Sequence, residues 1–167
     1  MTTNYQMDTT LEVRVGAALR QRGLRLAAAE SCTGGLVGHR VTNIPGSSTY
    51  YMGSVTAYAY EAKVRLLEVK WDTLETYGAV SKQVVSEMAI GIRRALAADI
   101  GISISGIAGP GGGTAEKPVG LVCFGLSSAD GVWTTKQQFP GGRTAVKEQA
   151  ADFILQYLLL YLEGKLT

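Results

Sequence analysis

Leu24-Arg25-Leu26-Ala27-Ala28, followed by Ala29-Glu30-Ser31-Cys32-Thr33-Gly34-Gly35, is the stretch on which the fold reading turns. The first five residues read as a short buried strand, and residues Thr33 to Val41 read as a helix. A serine just past a strand and just before a helix N-terminus sits among backbone N–H groups without intrahelical partners. Such donors can hold an anion, or the oxyanion of an acyl-transfer intermediate. Gly34 and Gly35 remove side chains that would keep a substrate from the backbone. Ser, Thr and Gly also serve at such junctions as simple capping residues. At this point the cap and the nucleophile are both open readings of Ser31.

Working outward, residues 9–22 read as an amphipathic helix with Leu11, Val15, Ala18 and Leu19 at helical spacing and Thr9 or Thr10 as the cap. The helix after Gly35 should stop before Ile44-Pro45-Gly46. Tyr50–Tyr58, rich in aromatic and β-branched residues, reads as a strand, with a short helix through Glu61–Leu67 behind it. Ser81 can cap a longer helix whose buried face is Val85, Met88, Ala89, Ile92 and Leu96. Ile100, Ile102 and Ile104 alternate with Gly101, Ser103 and Ser105, giving a strand with one bulky and one small face. The small face would let a helix lie close to the sheet. Gly106–Gly113 reads as a loop, and Val119–Leu126 and Val132–Phe139 as a hairpin joined by Ser127-Ser128-Ala129-Asp130-Gly131. The last helix, about Arg143–Glu163, is apolar beyond a single stripe because Leu159 and Leu160 widen it, which reads as tight burial or a subunit contact. Lys147, Glu148 and Asp152 interrupt the run too often for a membrane span. Helices before, between and after strands, plus one hairpin, predict an α/β fold: a three-layer α/β/α sandwich with a mixed sheet. No linker divides the chain, so residues 1–167 read as one domain.

Composition narrows the function classes. The chain has 167 residues, 46% hydrophobic and 18% charged, with a formal charge of +2. That balance gives no electrostatic footprint for nucleic acid, and no Lys/Arg cluster stands out. Residues 1–10 are polar, without the basic start and apolar run of a secretory signal. Cys32 and Cys123 form no paired framework, and together these point to the cytoplasm. With one histidine, His39, a metal site is not expected. The 21 glycines cluster at 34–35, 106–113 and 141–142 without a period, as expected where backbone turns tightly or approaches a ligand.

If Ser31 is a nucleophile, something must take its proton. Eight residues of helix separate it from His39, roughly 12 Å, beyond hydrogen-bond reach. Lysine is the other activator of serine, provided that burial lowers its pKa. Lys63 lies one helical turn past Tyr58, at a strand end that could share a sheet edge with Ser31. Spacing alone leaves an exposed helix lysine as the alternative. Ser105-Gly106-Ile107-Ala108-Gly109-Pro110-Gly111-Gly112-Gly113 leaves another strand and offers exposed backbone at the same edge. It is neither a Walker loop nor a dinucleotide fingerprint. Gly141-Gly142-Arg143 precedes the last helix, so Arg143 and the first N–H groups could bind phosphate or carboxylate, or simply make a surface contact.

Taken in order, these segments resemble the CinA C-terminal domain family, the nicotinamide-nucleotide amidases. The matching stretches are Ala29–Gly35, Ile44-Pro45-Gly46-Ser47-Ser48, Glu61-Ala62-Lys63, Gly78-Ala79-Val80-Ser81, Met88-Ala89, Gly106-Ile107-Ala108-Gly109-Pro110 with Gly112-Gly113-Thr114, and Lys117-Pro118-Val119-Gly120. The likeness covers roughly residues 10–163. It implies hydrolysis of the carboxamide of nicotinamide mononucleotide to nicotinic acid mononucleotide and ammonia, a step of pyridine-nucleotide salvage. It further implies Ser31 as nucleophile, Lys63 as general base and Tyr58 as a supporting hydroxyl. Cys32, Thr33, Gly34 and Gly35, with Ser105, Gly106, Gly109 and Arg143, would bind the substrate and its oxyanion. No metal or organic cofactor is implied. Family members often carry a second, N-terminal domain resembling molybdopterin-binding proteins, so this chain resembles the stand-alone form; the apolar last helix suggests a homodimer.

The chain departs from the family pattern at Ala59 and Tyr60, where Ser-Asn is usual, at Ser105, where Thr is common, and at Gly142, where an acidic residue usually precedes the arginine. The first departure adjoins Tyr58 and Lys63. It keeps a second expectation alive, a nucleotide-binding or interaction module that has lost catalysis. A third, redox chemistry at Cys32, would need a helix N-terminus to lower the thiol pKa.

Overall fold

The computed structural model describes residues 10–166. Six helices and five strands run in the order α1 (Leu11–Arg22), β1 (Leu26–Glu30), α2 (Leu36–Thr42), β2 (Tyr51–Thr56), α3 (Tyr60–Leu67), α4 (Trp71–Tyr77), α5 (Lys82–Ala95), β3 (Ile100–Gly106), β4 (Leu121–Ser127), β5 (Val132–Gln138) and α6 (Arg143–Leu162). A 3-10 turn, Ser47–Thr49, precedes β2. The sheet order is β2-β1-β3-β4-β5. β1 pairs in parallel with both β2 and β3, whereas β3–β4 and β4–β5 are antiparallel. The sheet is mixed, as the helix–strand alternation and the single hairpin require.

β1 is buried along its whole length and splits its residues between two cores. Leu26 and Ala28 pack with Ile100, Ile102 and Ile104 of β3 under α1, α2 and α6. Ala27 and Ala29 face Leu67, Leu74, Val84, Met88 and Ile92 of α3, α4 and α5. The three-layer α/β/α sandwich follows from this period-2 division. The small face of β3 does what its alternation predicts. A Cβ on Gly101 would sit 2.2 Å from the Ala89 carbonyl oxygen. Beside it the Ser103 hydroxyl donates to the Val85 carbonyl at 2.6 Å, so α5 lies against the sheet at backbone distance. Ser81 caps α5, its Oγ accepting from Val84 N–H at 3.2 Å.

Several boundaries differ from the sequence reading. Leu24 belongs to the close of α1, its N–H donating to the Leu19 carbonyl past a left-handed Gly23. Residue 9, one of two candidate caps, lies outside the described residues, and Thr10 occupies the cap position. α2 begins at Leu36 instead of Thr33, because Gly34 (φ 63°) and Gly35 (φ 98°) hold a left-handed conformation that cannot continue a right-handed helix. α4 is an added element, seven residues long with only Leu74 buried. α6 buries residues around much of its girth because α1 and α2 cover one side and β3–β4 the other. Its width is thereby absorbed within the chain. No described helix is long and apolar enough to cross a membrane.

Candidate active site

Three parallel strands deliver their C-terminal ends to one edge of the sheet, the usual place for a ligand in such folds. Ser31 follows β1, Tyr58 follows β2, and the 107–113 loop follows β3. Two backbone bonds tie these ends together. Ser31 N–H donates to the Ile104 carbonyl at 3.1 Å, and Ala57 N–H donates to the Glu30 carbonyl at 2.9 Å. The nucleophile candidate is thereby fixed to strands on both sides.

Lys63 projects from α3 into this edge. Its Nζ lies 3.0 Å from Ser31 Oγ, 2.8 Å from the Ala57 carbonyl and 3.0 Å from the Tyr58 carbonyl. The side chain is 1% exposed. Burial penalises the ammonium form and pushes the Lys63 pKa from 10.5 down to about 8. Among the described residues no carboxylate pairs with it to oppose that shift. A neutral amine has two N–H donors and one lone pair. In the structure Nζ donates to both carbonyls and to Ser31 Oγ; loss of one proton would leave the two carbonyls accepting and turn the lone pair to the Ser31 O–H. The exposed-lysine alternative is therefore excluded.

A cavity of about 270 Å³ opens over the pair, walled by Tyr58, Ser105, Gly106, Gly109 and Arg143, with Ala79 and Val80 opposite. Tyr58 is 60% exposed, and its hydroxyl accepts from an Arg143 guanidinium N–H at 3.0 Å. It is the Tyr58 carbonyl, not the phenol, that contacts Lys63. Arg143 also donates to the Gly109 carbonyl at 2.8 Å, which closes the rim between α6 and the β3 loop. Lys147, one turn further along α6, reaches Gly34: a Cβ there would lie 3.7 Å from its Nζ.

Of the four residues after Ser31, only Cys32 lines the cavity. Thr33 and Gly35 are turned to Glu30 instead. The Glu30 carboxylate, 0% exposed, accepts from Thr33 Oγ1 at 2.7 Å and from the N–H groups of Gly35 at 3.0 Å, Val37 at 3.1 Å and Gly38 at 2.9 Å. Gly34 N–H donates to the Ser31 carbonyl at 3.1 Å. The first amides of α2 are thus already committed, contrary to the expectation that they face a substrate. Next to Ser31, the N–H groups of Cys32 and Thr33 donate to no carbonyl among the described residues. The redox expectation for Cys32 also changes sign, since burial pushes its thiol up to about 11. His39 is exposed on α2, paired with Asn43 Nδ2 at 3.3 Å, far from this chemistry in role. No group of three or more His, Cys, Asp or Glu among the described residues could hold a metal ion.

Sequence reasoning missed Glu30, Lys147, Ala79 and Val80. A signal existed for the last two, since Gly78-Ala79-Val80-Ser81 was among the stretches carrying the family likeness. It also gave no reason for Tyr60, whose hydroxyl accepts from Ala79 N–H at 3.2 Å and so ties α3 to the Ala79–Val80 wall.

Residues 8–162 match the CinA C-terminal domain family. The chain is 54% identical over 150 residues to a protein of Enterobacter agglomerans named nicotinamide-nucleotide amidohydrolase PncC, covering 89% of this chain and 92% of that one. It is 53% identical to a putative competence-damage inducible protein of Moorella thermoacetica, of which it spans only 36%. Among solved structures, a competence-damaged protein (CinA) superfamily protein from Klebsiella pneumoniae superposes with a TM-score of 0.89 at 38% identity, over 92% of this chain and 96% of that one. The competence/damage inducible protein from Agrobacterium tumefaciens gives 0.88 at 37% identity, over 92% of this chain and 93% of that one. This chain belongs to the CinA C-terminal domain family.

Proposed function

We propose that the protein is a serine amidohydrolase that cleaves the carboxamide of nicotinamide mononucleotide to nicotinic acid mononucleotide and ammonia. The observation that carries the reading is the buried Lys63 amine 3.0 Å from Ser31 Oγ, with two carbonyls taking its remaining donors. The name of the Enterobacter relative supports the substrate class.

In the proposed cycle, neutral Lys63 takes the Ser31 proton as Oγ bonds to the amide carbon. The oxyanion that forms is met by the N–H of Cys32, the residue beside Ser31 on the cavity wall. Lys63 gives its proton to the departing nitrogen as the C–N bond breaks, and ammonia leaves. Water then attacks the acyl-serine ester, Lys63 takes the water proton, and that proton returns to Ser31 Oγ as the acid leaves. No metal or organic cofactor takes part. Arg143, with the α6 N-terminus behind it, is suited to the substrate phosphate. Tyr58 contributes by orienting Arg143 and by its carbonyl on Lys63.

The substitutions at 59 and 60 leave Lys63 and all three of its hydrogen bonds in place, which favours the enzyme over a catalytically impaired module. Ammonia release from nicotinamide mononucleotide by wild type, Ser31→Ala and Lys63→Ala tests the reading. Turnover by wild type alone is expected. Equal activity of all three refutes the Ser–Lys mechanism, and tight nucleotide binding without wild-type turnover would establish the impaired module.

Two wider features belong to the same proposal. Cys32 and Cys123 are free and buried, which suits a reducing compartment such as the cytoplasm. A homodimer fits the exposed apolar residues Leu66, Trp71 and Tyr77 along α3–α4, and sedimentation would reveal it. Nucleic acid is not a partner in this reading, the formal charge being only +2.

A further inference from the structure

Glu30 precedes Ser31 directly, and a buried carboxylate beside a nucleophile needs an account. Its two oxygens gather four donors from the next eight residues, three on Oε2 and one on Oε1. Charge-assisted bonds of this kind are about twice as strong as neutral ones, and a carboxylate losing them while buried is costly. Room for the Oε1 contact comes from Gly38, where a Cβ would lie 2.8 Å from Ser54 Oγ and 2.9 Å from the Tyr51 hydroxyl. The Glu30 backbone is tied as well, its carbonyl accepting from Ala57, whose own carbonyl accepts from Lys63. One residue therefore joins the Ser31–Gly35 turn to the peptide that holds the base.

We propose that Glu30 is the positioning residue of the Ser31 turn. By taking the side chain of Thr33 and the amides of Gly35, Val37 and Gly38, it holds Ser31 Oγ on Lys63 and leaves the N–H of Cys32 beside the nucleophile as the oxyanion donor. The inference rests on the reading of Ser31 as nucleophile. It distinguishes a carboxylate that shapes the site from one that merely caps α2. A cap contributes to stability alone. A positioning group changes the rate of the chemical step at unchanged substrate binding, because small misplacements of reacting atoms are expensive.

Glu30→Gln keeps the shape of the side chain but turns one acceptor into a donor facing N–H groups. Thr33→Val keeps the carboxylate and removes a single donor to it. Steady-state ammonia release and the rate of Ser31 sulfonylation by phenylmethylsulfonyl fluoride, read by mass spectrometry, are measured on the folded fraction of each. Expected for Glu30→Gln is a fall of about 10- to 100-fold in kcat and in sulfonylation rate, with KM within about threefold of wild type. Thr33→Val falls in the same direction by less. A kcat and sulfonylation rate within about twofold of wild type, with only the melting temperature lowered, overturns the inference. Should Glu30→Gln not fold, Thr33→Val decides between the same two outcomes. Loss of the nucleophile reading looks different: there Ser31→Ala keeps its turnover and the probe labels another residue.

Discussion

Lys63 makes the sharpest test, because one pKa governs two independent measurements. Burial holds it at about 8, against 10.5 for the free side chain. About one molecule in eleven then carries the neutral amine at pH 7, half do at pH 8, and about ten in eleven at pH 9. If the neutral amine is the base, kcat/KM rises about fivefold between pH 7 and 8 and about twofold more to pH 9. Stability follows the same group. A lysine whose pKa is lowered on folding binds fewer protons in the native than in the unfolded chain between those two values, so stability rises with pH across the window from about 8 to 10.5. The cost of the buried ammonium is about 3 kcal/mol at pH 7 and falls to about 1 kcal/mol at pH 9.5, a gain of about 2 kcal/mol. Cys32, held at about 11 by burial, acts in the opposite direction once the unfolded thiol ionises near 9. Wild type and Lys63→Met share the burial of Cys32, so most of the cysteine contribution is common to both, and only its charge interaction with Lys63 is not. The three hydrogen bonds lost in the variant shift its stability by an amount independent of pH once both curves are referenced to pH 9.5. Urea unfolding at pH 7 and 9.5 should therefore show wild type gaining about 2 kcal/mol that Lys63→Met does not. Parallel stability changes, together with a rate flat from pH 7 to 8, would refute the reasoning.

Arg143→Ala removes the guanidinium that bridges Gly109 and Tyr58. KM for the mononucleotide should rise about 10- to 100-fold with little change in kcat, as for a charge-assisted contact to a phosphate away from the reacting bond. The buried Cys32 thiol should resist iodoacetamide at pH 7.5, with activity intact after an hour; rapid inactivation with label on Cys32 would contradict its raised pKa. Gly91→Ala would place a Cβ 1.9 Å from the Leu67 carbonyl oxygen, at the end of the helix that carries Lys63. A loss of about 1–3 kcal/mol in unfolding free energy is expected, with kcat reduced as α3 is displaced.

The elements read correctly from sequence were those whose pattern is local. Ser81 followed by Val85, Met88 and Ile92 specifies a cap and a face within one helix. The isoleucine–glycine–serine alternation of β3 likewise states both which side is core and which side admits a helix. Lys63 was partly legible: its position past a strand end was visible, its burial was not, because burial comes from β2, α3 and the β1 turn meeting in space. α4 escaped notice since one buried leucine in seven residues makes no period. The width of α6 was visible, but its cause, helices on one side and sheet on the other, is a tertiary fact.

Glu30 escaped for a different reason. An acidic residue at a strand end ordinarily points to solvent, and nothing in Ala29-Glu30-Ser31 separates that case from a carboxylate with four donors. The signal lay in its partners. Gly34 and Gly35 are the residues that let the backbone curl back, and Gly38 is the one that vacates space for Oε1. Read singly, Gly34 and Gly35 suggested access for a substrate. Together with Glu30 they describe access for an internal anion, which occupies the helix start that a ligand would otherwise use. This leaves Arg143, on the cavity wall at the start of α6, as the cation suited to an anionic group of a ligand; Lys147 of the same helix lies over Gly34, at the edge of the Ser31 turn. In the proposed reaction, a substrate with its amide at Ser31 would place its phosphate toward Arg143. In the proposed reaction the internal carboxylate, with no exposed surface, would thus act on the substrate only through the turn that it braces.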